Sequence, residues 1–263
     1  MKSRRGWRPG RRKKSEPIQL EVGAIEYEFG VPIEGEILAK DAWTQCALKR
    51  LPQEGEVDWG DVFGRQAPLV VDIGCGNGRY TIASAVRRPE LNHLAIDSLP
   101  MVVRYGTRRA NQRGLRHVRF AVVDGWRFLH SYCQDASIAE VHIYHPQPYA
   151  DPDDISKRML NPEFMGLMYR RLMLGGAVYF QTDREAYWQY VDRWMPNLFQ
   201  WNRVEGDWSD GPEFRSRREI LSRKEGLSIY RGIGVKSQEL TVEQVSALVS
   251  EMEQPTFAID EED

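Results

Sequence analysis

Four carboxylates recur along the chain, Asp72, Asp97, Asp124 and Asp183, and each closes a short apolar run: "PLVVDIG" (68–74), "NHLAID" (92–97), "VRFAVVD" (118–124) and "GAVYFQTD" (176–183). An acid at the carboxyl end of each of several buried strands is well placed to meet a ligand, because ligands of open α/β sheets bind there. The first acid belongs to "VDIGCGNGRY" (71–80), in which Gly74, Gly76 and Gly78 permit a tight turn and close approach to the backbone. The spacing is GxGxG and not the dinucleotide GxGxxG, and Asp72 would repel a pyrophosphate. S-adenosylmethionine carries no phosphate. Its α-ammonium and sulfonium suit nearby carboxylates. Asp97 lies 19 residues beyond Gly78, where it can accept from two ribose hydroxyls, and Asp124 falls where an adenine edge would lie. Any one of these aspartates could equally cap a helix. Three in register after successive strands point to a methyl-donor site, with Asn77 inside the loop.

These acids need a sheet to align them. The runs above, together with "AEVHIYH" (139–145) and "LSIYRGI" (227–233), read as short buried strands, and stretches with helical spacing such as Tyr80 to Val86 and Met101 to Arg113 lie between them. Pro162 suits a first helical turn, while Gly114 and the pair Gly175-Gly176 read as helix stops. Thr241 with Gln244 opens a capping box, and apolar residues at 242, 245, 248, 249 and 252 make the following segment an amphipathic helix. The expected fold is α/β, a doubly wound Rossmann-like, mostly parallel sheet of the class I S-adenosylmethionine-dependent methyltransferase type. The expected divisions are a basic, flexible arm over 1–35, the methyltransferase domain over 36–236, and a C-terminal helix with an acidic tail over 237–263.

Composition narrows the function. No run approaches the roughly 20 apolar residues of a membrane span, and the basic start has no apolar segment behind it. Cys46, Cys75 and Cys133 form no CxxC pair, which suits reduced thiols in a cytoplasm. The net charge of −2 hides an asymmetry: "MKSRRGWRPGRRKK" holds eight bases and no acid, and the final "EMEQPTFAIDEED" holds six acids and no base. Such a basic arm suits a phosphate backbone. Arg104, Arg108 and Arg109 read as plain helix surface, and Trp188, Trp194 and Trp201 as packing residues. His142 and His145 at strand spacing point to opposite faces, so no metal is expected there.

With these motifs in place the chain resembles the bacterial tRNA (guanine-N7-)-methyltransferases, from about Asp58 to Arg231. The family's "EIGxGxG" is matched by Asp72-Ile73-Gly74-Cys75-Gly76-Asn77-Gly78, and its next two strand-end acids by Asp97 and Asp124. Its "PDPWPK", then "KRRL" and "PEF", correspond to Pro146-Gln147-Pro148-Tyr149, Lys157-Arg158-Met159 and Pro162-Glu163-Phe164. Its "TD" is Thr182-Asp183, and its late "TxYE…G…IY" is Ser216-Arg217-Arg218-Glu219 with Gly226, Ile229 and Tyr230. The resemblance implies S-adenosylmethionine as methyl donor, tRNA as partner and guanine N7 as target. It places catalytic positions at Gln147 and Asp183, donor contacts at Asp72, Gly74, Gly76, Asn77, Gly78, Asp97, Asp124 and Gln147, and substrate contacts at Asp151, Lys157, Arg158, Asp183, Ser216 and Glu219. The chain departs from the family pattern at Gln147 (Asp), Tyr149 (Trp) and the acidic Asp151-Pro152-Asp153-Asp154 (basic), all on the substrate side. A methyltransferase of the same fold acting on another RNA or a small molecule, and a non-catalytic RNA-binding partner, remain as alternatives. Hydride transfer fits least, given Asp72 and the GxGxG spacing.

Deleting residues 1–14 is expected to weaken RNA binding without changing sequence selectivity, and to flatten the dependence of log K on log salt. A salt titration of both forms checks this, and equal slopes would exclude the arm from the contact.

Overall fold

The computed structural model describes residues 21–52 and 55–259. The basic run over 1–14 and the last four residues lie outside them. The described chain opens with a two-stranded hairpin, β1 (Tyr27–Glu28) and β2 (Val31–Pro32), followed by α1 (Trp59–Phe63). Alternation then sets in: β3 (Leu69–Ile73), α2 (Arg79–Arg87), β4 (Asn92–Asp97), α3 (Pro100–Gln112), β5 (Val118–Val122), α4 (Gly125–Ser131) and β6 (Ile138–Tyr144). The rest comprises α5 (Pro162–Arg171), β7 (Leu172–Thr182), α6 (Glu185–Trp194), β8 (Gln200–Arg203), α7 (Arg217–Glu225), β9 (Tyr230–Val235) and α8 (Val242–Ser250).

Strand order is β5-β4-β3-β6-β7-β9-β8. Only β9 runs against the others, antiparallel to both β7 and β8. Successive crossovers from β3 run outward to β4 and β5, and the chain then returns to place β6 on the other side of β3. Both faces of the sheet are covered, so its strands are continuously apolar and do not alternate with polar residues. Leu69, Val71 and Ile73 share one core with buried residues of α4, α5, α6 and α8. Ala95, Val118 and Phe120 pack on α2 and α3 on the other face.

Several local expectations are revised. Residues 21–35, grouped by composition with the arm, are folded: Ile33 is buried and the hairpin lies against α2 and α3. Gly175 and Gly176 do not stop a helix, since α5 already ends at Arg171. They form an irregularity in β7, where Gly175 has φ 78° and a side chain on Gly176 would strike the carbonyls of Met173 and Ala139. The short edge strand β8 escaped the sequence reading because "QWNR" has no apolar alternation.

The C-terminal segment is bound to the domain. Val249 of α8 fills the space above Gly166 of α5. Arg158, expected as an RNA contact, is buried and donates to the carbonyls of Pro148 (2.7 Å), Tyr149 (3.0 Å), Pro255 (2.6 Å) and Phe257 (2.7 Å). Its guanidinium also lies 4.0 Å from the Phe257 ring centroid. One side chain therefore ties the turn after β6 to the chain after α8. Arg158→Met keeps the apolar stem but strands these carbonyls, and should cost about 3 kcal/mol. Urea unfolding measures it, and an unchanged midpoint would show the clamp to be dispensable.

Candidate functional site

Two cavities open at the carboxyl ends of the strands and share Gly74, Tyr144 and His145. One, of about 620 Å³, is bordered by Asp97, Asp124 and Gly125 on one side and by Pro146, Gln147 and Tyr149 on the other. The second, of about 670 Å³, is bordered by Asp72, Gly76, Asn77 and Arg79, with Tyr105 of α3 and Ser216 to Arg218 of α7 opposite. The three strand-end acids thus face one continuous cleft.

The glycines of the β3–α2 turn divide their work. Gly74 and Gly76 have φ 77° and 53°, and a Cβ on either would meet nothing within 4 Å, so both present bare backbone to the cleft. Gly78 (φ 78°) instead packs, since a Cβ there would lie 2.7 Å from the Phe120 ring. Asp97 is locked to this turn: its Oδ2 accepts from Gly76 N (3.0 Å) and its Oδ1 from Leu99 N (2.9 Å). Asp124 caps α4 through Arg127 N (2.8 Å) while still bordering the cavity, so the capping and ligand-facing readings hold together. Asp72 is buried and accepts from Thr81 Oγ1 at 2.5 Å. Burial pushes its carboxyl up to about 7, the Thr81 hydrogen bond pulls it down, and the Asp97 charge adds to the rise.

The residues expected at the substrate side are arranged differently. Gln147 is exposed and borders the 620 Å³ cavity, as does Lys157, which pairs with Asp154 at 2.6 Å. Asp151 points away, capping the turn over Pro152–Lys157 through Asp153 N (3.0 Å). Asp183 borders neither cavity. Its Oδ2 accepts from Arg218 (2.7 Å) and Ser222 (2.6 Å). Burial raises its carboxyl, but hydrogen bonds from His145 and Ser222 and the Arg218 charge outweigh that and hold it well below the usual range. Glu219 is buried among Gln181 (3.0 Å), Arg223 (2.9 Å) and Arg231 (3.1 Å), and Ser216 caps α7 through Glu219 N (3.1 Å) while bordering the second cavity. Asn77 donates to Glu28 of the hairpin at 2.8 and 3.0 Å. Asp183 and Glu219 are therefore the framework behind the cleft, not its surface.

Sequence reasoning missed the residues at the junction. His145, dismissed as a metal ligand, has φ 53° and stands where the two cavities meet. Gln181 Oε1 accepts from Trp208 (2.7 Å) and Arg231 (2.8 Å), so its amide must donate to His145 Nε2 (2.8 Å). That leaves the ring proton on Nδ1, 3.3 Å from Asp183 Oδ1. Tyr144 beside it is held by His142 Nδ1 (2.9 Å), whose Nε2 meets Tyr80 (2.9 Å) and Glu140 (3.0 Å). The position of these residues at the end of the fourth strand was the only signal in the sequence. Among the described residues no His, Cys, Asp and Glu cluster could hold a metal.

The cleft fits S-adenosylmethionine: bare glycine backbone, a buried acid and two strand-end acids face the same space. Strand order, the single reversed strand and this site define a class I S-adenosylmethionine-dependent methyltransferase. A family model described as "Putative methyltransferase" matches residues 66–236. A tRNA (guanine-N(7)-)-methyltransferase of Salmonella typhimurium is 30% identical over 62% of this chain and 69% of its own. One of Halorhodospira halophila is 31% identical over 58% of this chain and 64% of its own, and one of Rubrobacter xylanophilus 28% over 65% and 78%. The 16S rRNA methyltransferase KamB shares the fold, with a TM-score of 0.51 at 15% identity over 74% of this chain and 99% of that one. The chain belongs to the tRNA (guanine-N7-)-methyltransferase family.

The state of Asp72 gives a pH test. Between roughly pH 4 and 7 the free protein holds a proton there that the unfolded chain has lost, so this group's contribution to stability falls as pH rises. Pairing with a ligand ammonium requires the ionised form, so affinity for S-adenosylhomocysteine should rise as pH increases through about 7. Calorimetry in buffers of different ionisation heat should detect proton release on binding near that pH. Release that persists in Asp72→Asn would remove Asp72 from this role.

Proposed function

We propose that this protein transfers the methyl group of S-adenosylmethionine to N7 of guanine in tRNA. The observation that carries the reading is the single cleft onto which Asp72, Asp97 and Asp124 open, with His145, Pro146, Gln147 and Tyr149 of the turn after β6 as its opposite wall. Asp97 would hold the ribose hydroxyls, Asp124 the adenine edge, and Asp72 the α-ammonium, with Gly74 and Gly76 admitting the donor against the backbone. When bound, the donor supplies a methyl group activated on a sulfonium sulfur.

Guanine N7 is a free ring lone pair, so no group of the protein has to remove a proton before attack. The chain's task is to bring that nitrogen to about 3–3.5 Å from the methyl carbon and keep the three atoms in line. The turn after β6 does this as a rigid piece: Arg158 holds the carbonyls of Pro148 and Tyr149, and the Asp183–His145–Gln181 chain holds its other end. Asp183 thus acts as a positioning residue. Gln147 offers an amide to the guanine edge but no charge to the ring that becomes cationic. A free target in a nucleic acid also accords with a cytoplasmic protein. Among the described residues no helix is long and apolar enough to cross a membrane.

One observation favours a second reading, the same transfer to another RNA base. Gln147 is neutral, and the nearby Asp151 and Asp154 are engaged in a cap and an ion pair, away from the cavity. Mass spectrometry of nucleosides from tRNA treated with labelled donor decides between them, with labelled 7-methylguanosine expected. For that target, Gln147→Asp should raise the single-turnover rate by roughly tenfold, about 1.4 kcal/mol of electrostatic stabilisation of the ring. Label on a different nucleoside would discard the guanine reading, and a slower variant would discard the charge argument.

A further inference from the structure

A cavity of about 1100 Å³ lies beside the site just described. It runs between α3 and the segment 43–51 and meets the 620 Å³ cavity at Ser98, Val123 and Asp124. The segment is strapped to the edge of the sheet, since Phe120 N donates to Cys46 O and Leu48 N to Phe120 O, both at 2.8 Å. Its floor is apolar, with Val103 and Phe120. Its walls are cationic: Lys49 and Arg50 stand on the strap, Arg104 and Arg108 one turn apart on α3.

These cations differ from most others among the described residues. Arg79, Arg109, Arg113, Arg218 and Arg231 are all engaged with carboxylates. Lys49, Arg50, Arg104 and Arg108 are exposed and make no ion pair with a carboxylate among the described residues. Asp124 is the one acid on the groove wall among the described residues. Like charges gathered on facing walls repel one another, and a polyanion laid between them would relieve that repulsion and release its counterions. Trp43 adds a second kind of contact. Its Nε1 is fixed to Leu38 O at 2.8 Å, while its ring stays 37% exposed on the groove. A fixed, half-open indole beside cations is a platform for an unpaired base.

We propose that this groove is the track for the RNA backbone, with Arg104 and Arg108 on one wall and Lys49 and Arg50 on the other, leading the strand to the donor cavity. The identity of the polyanion as RNA rests on the methyl-transfer reading above. Arg104 and Arg108 are exposed, as their reading as helix surface expects, whereas Arg109, read the same way, is buried and pairs with Glu26 at 2.9 Å.

The test is fluorescence anisotropy of a labelled tRNA transcript bound to the full chain across a salt titration. Arg104→Glu/Arg108→Glu should lower affinity by about tenfold or more and flatten the slope of log K against log salt by about 2. Lys49→Glu/Arg50→Glu, on the opposite wall, should do the same. Affinity for S-adenosylhomocysteine and the unfolding midpoint should stay unchanged in both. Charge reversal at Arg193 and Arg203, near the opposite edge of the sheet, should leave the slope close to that of the unaltered chain. Equal slopes in the groove variants, or an equal loss in the Arg193/Arg203 control, would overturn the proposal, as would lost binding of duplex DNA with tRNA binding intact. Because binding is read without turnover, the two readings fail separately. A groove loss without guanine methylation keeps the track and discards the reaction, and guanine methylation with an intact-binding groove variant does the reverse.

Discussion

Everything in this molecule depends on β3 being paired in parallel on both sides, with β4 on one flank and β6 on the other. Parallel pairing aligns the carboxyl ends of all three strands. Because the chain leaves β3 in one direction and returns to its far side for β6, the loops after these two strands diverge and cannot fill the space between them. The crevice is therefore a consequence of topology. Its walls are then set by the turns at each strand end: Gly74 and Gly76 after β3, Asp97 after β4, Asp124 after β5 and His145 after β6. The hydrogen bond from Gly76 N to Asp97 ties two of these turns together.

Arginine does much of the construction. Five donors in a planar fork let one side chain satisfy several carbonyls or carboxylates at once. Arg158 joins four carbonyls from two distant segments, and Arg231 joins Gln181, Glu219 and Gly206. Such groups cannot also grip a phosphate without unfastening the fold. A chain with 36 bases can thus offer few of them to a nucleic acid on its folded surface. Those on the α3 groove are conspicuous because they are not consumed in this way.

The acids of residues 151–154 have a local explanation. Asp151 starts the short turn over Pro152–Lys157, and Asp154 neutralises Lys157 within it. The reversal of charge from Asp151 to Arg158 marks a self-contained turn whose last residue reaches into the interior. It adds no carboxylate to the cavity, so the electrostatics there are governed by Gln147 and by acids on the strand ends.

The α/β class, the order of strands and helices from 69 to 144, the capping box at Thr241 and the three acids that border the cleft were all legible from residue types. Each is a local signal: apolar runs bounded by turn residues, glycines at a fixed spacing, an acid at a strand end. The hairpin over 27–32 was not legible, since two-residue strands have no periodicity and Glu26 and Glu28 acquire their meaning only against Arg109 and Asn77, more than forty residues away. Asp183, Glu219 and Arg158 looked like ligand contacts because a polar residue in a motif carries no mark of which way it faces. Tertiary packing turned all three inward, where burial demanded partners and other segments supplied them. The sequence by itself determined which backbone turns and which acids the cleft would contain. Only the tertiary structure decided which charged side chains remain open to a partner, because that depends on the distant groups each one meets when the sheet closes.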